Sequence, residues 1–169
     1  MKGNCTKIER YNGVDWDLIG RRANLNIGGK ENETVETPET LDCNADGTSL
    51  PKAYEPGSQS LNEWGLTVNW NPTPTAGDNP EFHHLLDDDV DTATATFYRI
   101  TLTNGVGYLV HAFAKSYGDV EIAPNETLQR EYTLQPTGAM AGGFLKSADV
   151  ASEALPAGIT APQAGYSIG

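Results

Sequence analysis

Glu63-Trp-Gly-Leu-Thr-Val-Asn-Trp70 is the stretch that decides the fold class. Trp64, Leu66, Val68 and Trp70 recur at every second position, so they share one face of an extended strand whose other face carries Gly65, Thr67 and Asn69. Asn71-Pro-Thr-Pro74 then stops the strand, because proline cannot donate to a ladder. Upstream, Lys7–Tyr11 and Val14–Ile19 flank Asn12-Gly13, a pair suited to the positive φ of a two-residue turn, and predict a hairpin. Ala23–Ile27 alternates polar and apolar residues and predicts a third strand, ended by Gly28-Gly29. Downstream, Thr96–Thr103 and Gly107–Ala114 flank Asn104-Gly105 and predict a second hairpin, with Tyr98, Ile100 and Leu102 on one face. His111 falls between Leu109 and Phe113 on that hairpin and reads as a packed or hydrogen-bonded histidine rather than a catalytic one. Leu128–Leu134 predicts a last strand with Tyr132 and Leu134 inward.

One helix interrupts this pattern. Asp78 or Asn79 can cap, Pro80 fits the first helical position, and Glu81 complements the dipole. Phe82, Leu85 and Leu86 stand at i, i+3 and i+4, so one face is apolar over residues 79–88. Residues 31–61 hold Pro38, Pro51 and Pro56 with several acids and read as a long loop, opened by a short strand at Glu33–Thr37. From Pro136 onward alanine, glycine, serine and proline dominate, and apolar residues lose their period. Residues 1–138 are therefore expected to form the domain. Residues 139–169 are expected to form a C-terminal arm or flexible tail, dispensable for the body fold.

The 169 residues suit a single core and carry a net charge of -12. Residues 1–30 hold six basic and three acidic side chains, whereas residues 31–131 hold eighteen acidic and four basic. That balance argues against a nucleic-acid-binding surface, which needs clustered lysine and arginine. Cys5 and Cys43 lack metal-site spacing and are expected to be reduced; no secretion signal or membrane-length apolar run is visible.

Two polar clusters invite a metal reading. His83 with Asp87, or His84 with Asp88, could reach one ion from one helix face, but no third ligand follows and the run reads better as a solvated helix end. Asp42-Cys-Asn-Ala-Asp-Gly47 matches the first half of a calcium loop, yet Ala53 stands where a bidentate glutamate is needed. Nothing resembles a nucleophile elbow, a phosphate loop or a dinucleotide fingerprint, so neither an enzyme nor a cofactor is expected.

The order of these elements carries a resemblance. A hairpin and a long loop lead to Tyr54-Glu-Pro-Gly57; the strand Trp64–Trp70 exits at Asn71-Pro72; the helix Phe82-His-His-Leu-Leu86 precedes the strand Tyr98–Leu102; and the body closes near Leu134-Gln-Pro-Thr-Gly138. Over residues 7–138 this resembles the major tail tube protein family of long, non-contractile phage tails. The resemblance implies a mainly β fold, a β-sandwich or partly closed β-barrel flanked by one short α-helix. It implies homo-hexameric rings stacked into a hollow tube, with tape measure, tail tip and tail terminator proteins as further partners. DNA would pass through the lumen without specific binding, and an acidic wall would repel phosphates. It places the protein in the virion tail, after synthesis in the host cytoplasm. Leu50, Tyr54, Pro56 and Gly57 of the loop, with Phe82, Leu85 and Leu86 of the helix, are the expected subunit or ring-stacking contacts. The competing reading is a β-sandwich binding module on a virion or cell surface, for which tryptophans and loops could form a carbohydrate-binding or adhesive site.

Overall fold

The computed structural model describes residues 6–21, 24–36, 54–70, 84–120, 122, 124 and 128–156. Its strands are β1 (Lys7–Tyr11), β2 (Trp16–Arg21), β3 (Asn24–Asn26), β4 (Lys30–Glu36), β5 (Tyr54–Leu61), β6 (Trp64–Asn69), β7 (Ala95–Thr101), β8 (Gly107–Tyr117), β9 (Gln129–Pro136) and β10 (Phe144–Ser147). Among the described residues one α-helix, α1 (His84–Thr92), joins them, with a short 3-10 turn at Val150–Ser152.

Eight strands form one sheet in the order β2-β1-β7-β8-β9-β6-β3, with β10 added to β8 beyond the end of β9. All its pairings are antiparallel. Phe144–Ser147 covers Gly107–Val110 of β8, while β9 takes Ala112–Tyr117, so two short strands share one long neighbour. The sheet curls enough to bring β2 near β6, but its hydrogen-bonded ladder stays open from β2 to β3. The fold is thus mainly β with one short helix, as the alternation in β6 predicts.

Period two places the core on both faces of the central strands. Trp64, Leu66 and Val68 of β6, Tyr98 and Ile100 of β7, Val110, Ala112 and Ala114 of β8, and Tyr132 and Leu134 of β9 are buried together. The helix closes this face with Leu85 and Leu86, both fully buried. Phe97 and Leu109 point the other way and pack with Met140 and Val150, with Tyr11, Trp16 and Leu155 at the margin. His111 lies on this second face. Its ring meets the edge of Phe97, and its Nδ1 lies 2.6 Å from Thr137 Oγ1. The same hydroxyl lies 3.2 Å from the His111 carbonyl, to which it can donate.

Two of the acids expected to be a solvated helix end, Asp87 and Asp89, are structural. Arg10 donates from Nε and Nη2 to Asp89 Oδ2 and Oδ1 at 2.6 and 2.7 Å, and the Tyr98 hydroxyl donates to Asp89 Oδ2 at 2.9 Å. Both charged groups are almost wholly buried, so the bidentate fork compensates their desolvation. Burial pushes the Asp89 carboxyl up, with the Arg10 guanidinium opposing it. Two residues earlier, Asp87 accepts from Arg130 at 3.0 Å and from the Tyr132 hydroxyl at 2.7 Å. The Arg130 guanidinium also sits over the rings of Trp70 and Tyr117. These partners let the helix run to Thr92, past the expected end at residue 88. Its expected start at residues 79–83 lies outside the described residues.

Three other expectations change. The first hairpin turn spans four residues, since Tyr11 pairs with Trp16. Asn12 Oδ1 accepts the Val14 and Asp15 N–H groups at 2.9 and 2.8 Å, which builds the turn from a side chain. In the second, Leu102 N–H donates to Val106 O at 2.8 Å and Gly105 takes φ 83°, the left-handed position of a three-residue loop. The third change is largest. The described ends of the supposed long loop are strands: β4 and β5 pair with each other as a separate two-stranded sheet.

The segment after residue 138 does not hang free over its described part. Met140 and Val150 are buried on the second face, and β10 is laddered to β8. The expectation of an arm outside the fold is corrected there: Phe97 and Leu109 are apolar on a face that Met140 and Val150 of this segment help to cover.

Candidate assembly interface

The β4–β5 hairpin stands away from the body. All seven residues of β4 are exposed, and in β5 only Gly57 and Leu61 are partly covered. Its ladder carries a register shift between Asn32 and Thr34, a bulge that twists the ribbon. Glu31, Glu33, Glu36 and Glu55 make it acidic, with Lys30 the one described cation, at its base. Ser58 donates to Glu33 at 2.9 Å and Gln59 to Asn32 at 3.2 Å, both across the ladder. One side is a shallow groove lined by Glu31, Asn32, Glu33, Thr34, Ser58 and Ser60.

Three expected contact residues fall on this hairpin. Tyr54 is 60% exposed and lies one register step from Val35, itself 46% exposed. They stand on opposite faces of the ribbon, because Tyr54 pairs with Glu36 whereas Val35 pairs with Glu55 and side chains alternate along a strand. Pro56 is exposed opposite Thr34. Gly57 is partly covered because a Cβ there would sit 2.8 Å from Val35 Cγ2. Leu50 and Phe82 lie outside the described residues. Leu85 and Leu86 are corrected: each is 0% exposed, so they fill the core of a single copy and offer no surface to a neighbour. The structure thus groups Tyr54, Pro56 and Gly57 and separates them from the helix.

Sequence reasoning missed Val35 and the acidic groove, because a ribbon exposed on both faces has no apolar period to reveal it. Other exposed apolar side chains lie elsewhere, chiefly Val14 in the first turn and Ile122 after β8, 75% and 79% exposed. Among the described residues no group of three His, Cys, Asp or Glu side chains could hold a metal ion. The His84 side chain, the partial calcium loop at residues 42–47, Cys5 and Cys43 lie outside the described residues. No described helix is long and apolar enough to cross a membrane.

No family model matches the chain, and no curated protein matches it by sequence. Solved structures match by fold. A chain from the virion of a native gene transfer agent particle superposes with a TM-score of 0.53 at 13% identity, covering 87% of this chain and 98% of that one. A chain from the sheath/tube terminator of the PVC extracellular contractile injection system gives 0.55 at 15% identity, over 80% and 91%. The SPP1 tail tube gives 0.54 at 12% identity, over 89% and 80%. These relatives span contractile and other systems, so the likeness does not single out the non-contractile tails of the sequence resemblance. Across nearly their whole lengths, this chain has the fold found in phage-type tails and contractile injection systems.

Proposed function

We propose that the chain is a non-enzymatic structural subunit that assembles with copies of itself into rings, which stack into the hollow tube of a phage-type tail. The observation that carries this reading is the fold shared over four-fifths or more of the chain with parts of tube and tail assemblies, 0.54 in TM-score for the SPP1 tail tube. The reading includes hexameric rings, a place in the virion tail, and docking to tape measure, tail tip and terminator proteins. It also includes a lumen that passes DNA without binding it specifically. The excess of eighteen acidic over four basic residues across 31–131 supports the last point, since a cationic wall would hold phosphates.

Residues 38–58, which include the first part of β5, are the part proposed to reach the next ring, with Tyr54 and Leu50 as apolar anchors. A hairpin of one copy meeting a different surface of the next is a heterologous contact, and such contacts repeat into open assemblies. The test replaces residues 42–52 with a short Gly-Ser linker. The variant should fold and sediment as small species, while the parent grows into large particles with concentration. Parent and variant assembling alike would remove the hairpin from stacking. A parent that stays monomeric and binds sugars would favour the β-sandwich binding module instead.

A further inference from the structure

The base of the hairpin rests on the segment that follows β9. Met140 O accepts the Gly143 N–H at 2.9 Å, closing a turn, and Gly143 holds φ 86°. Leu61, the last residue of β5, lies directly on this glycine: a Cβ at 143 would collide with Leu61 Cδ2 and come within 2.9 Å of its Cδ1. The next residue, Phe144, presents its ring to the Lys30 ammonium, 4.5 Å from the centroid, at the start of β4. Gln135 Nε2 donates to the Leu61 carbonyl at 3.3 Å. Thus Leu61 and Lys30, the two ends of the hairpin's base, both touch residues 135–144.

We propose that residues 138–144 are a seat that holds the β4–β5 hairpin in its projecting pose, with Gly143, Phe144, Leu61 and Lys30 as the positioning residues. The physical reason is leverage. A β4 of seven residues at about 3.3 Å each is about 23 Å long, so a tilt of about 10° at the base moves the far end by about 4 Å. An isolated two-stranded ribbon is marginally stable in water, so its ladder depends on what anchors it. Only glycine lets Leu61 approach this closely, and only a left-handed residue closes the turn there. On the tube reading above, the seat would also set where Tyr54 meets the next copy, but the holding role stands without it.

The test is amide hydrogen exchange on the full chain, kept dilute so that no assembly is needed. Leu61→Ala should speed exchange of the laddered hairpin amides about tenfold while β7 and β8 keep their protection. Lys30→Ala, a milder change at the same seat, should speed the same amides about threefold. Hairpin exchange unchanged in both variants overturns the proposal. So does acceleration spread evenly over β6–β9, which would make Leu61 a general core residue. Failure of either variant to form tubes while its hairpin exchange stays normal would count against the seat and leave the tube reading intact.

Discussion

Strand β8 and strand β4 are both extended, yet one is enclosed and the other bare. β8 is eleven residues long, and from Gly107 to Ala114 every residue is buried or partly covered. On one side it meets the core closed by α1, and on the other the segment carrying Met140 and Val150. β4 has seven residues and none is covered. Extended backbone is common to both, so what differs is where apolar area goes. In β8 it supplies the stability of the body. In β4–β5 it shrinks to Leu61 at the base and to Val35 and Tyr54 on opposite faces, too little to fold a ribbon for its own sake. Substitutions should therefore divide into those that cost stability and those that cost assembly.

The sharpest break of that division is Arg10→Ala. It strips the buried Asp89 carboxyl of its bidentate partner, and should destabilise the body by about 3–5 kcal/mol, read from denaturant midpoints. A loss below about 1 kcal/mol would mean that water or another group takes over from the arginine. Val150→Ala comes next. If the segment after 138 belongs to the body, removing its fully buried methyls should cost about 1–3 kcal/mol. An unchanged midpoint would restore the view of that segment as a dispensable arm.

His111 gives a smaller effect, with a sign. Burial holds its pKa below the ordinary 6.5. The folded chain therefore refuses a proton that the unfolded chain takes up below about pH 6.5. Stability is complete above that pH and falls as pH drops toward the folded-state value. Unfolding midpoints between pH 7 and 5 should decline more steeply in the parent than in His111→Gln; parallel curves would show that the ring takes up its proton alike in the folded and unfolded chains. The smallest stability effect belongs to Tyr54→Ser, within about 0.5 kcal/mol because the ring is exposed. Assembly, followed by sedimentation, should nonetheless weaken in that variant. A stability loss as large as that of Val150→Ala would place Tyr54 in a core.

What was legible in the sequence follows the same line. β6 could be read because Trp64, Leu66 and Val68 face one core at period two, and β7–β8 because its turn contains Asn104-Gly105. The helix was found by Leu85 and Leu86, but its end was misjudged. Asp87 and Asp89 look solvated until Arg130 and Arg10, distant in the chain, arrive to pair with them. The hairpin was hidden because a ribbon wet on both faces needs no alternation, and Pro56-Gly57 within β5 reads as a turn. Residues 139–156 were hidden because Met140, Val150 and Leu155 cover their face one at a time, with no repeat. Among the expected contact residues, the hairpin positions Tyr54, Pro56 and Gly57 lie at the surface, whereas Leu85 and Leu86 read as anchors only because apolarity alone does not tell a core from an interface.

Electron microscopy of the purified, concentrated full chain tests the central claim most directly. The account predicts rings or hollow tubes built by stacking rings, with an inner wall that is acidic on balance. Monodisperse single copies at every concentration, or a tube whose inner wall is net basic, would contradict it.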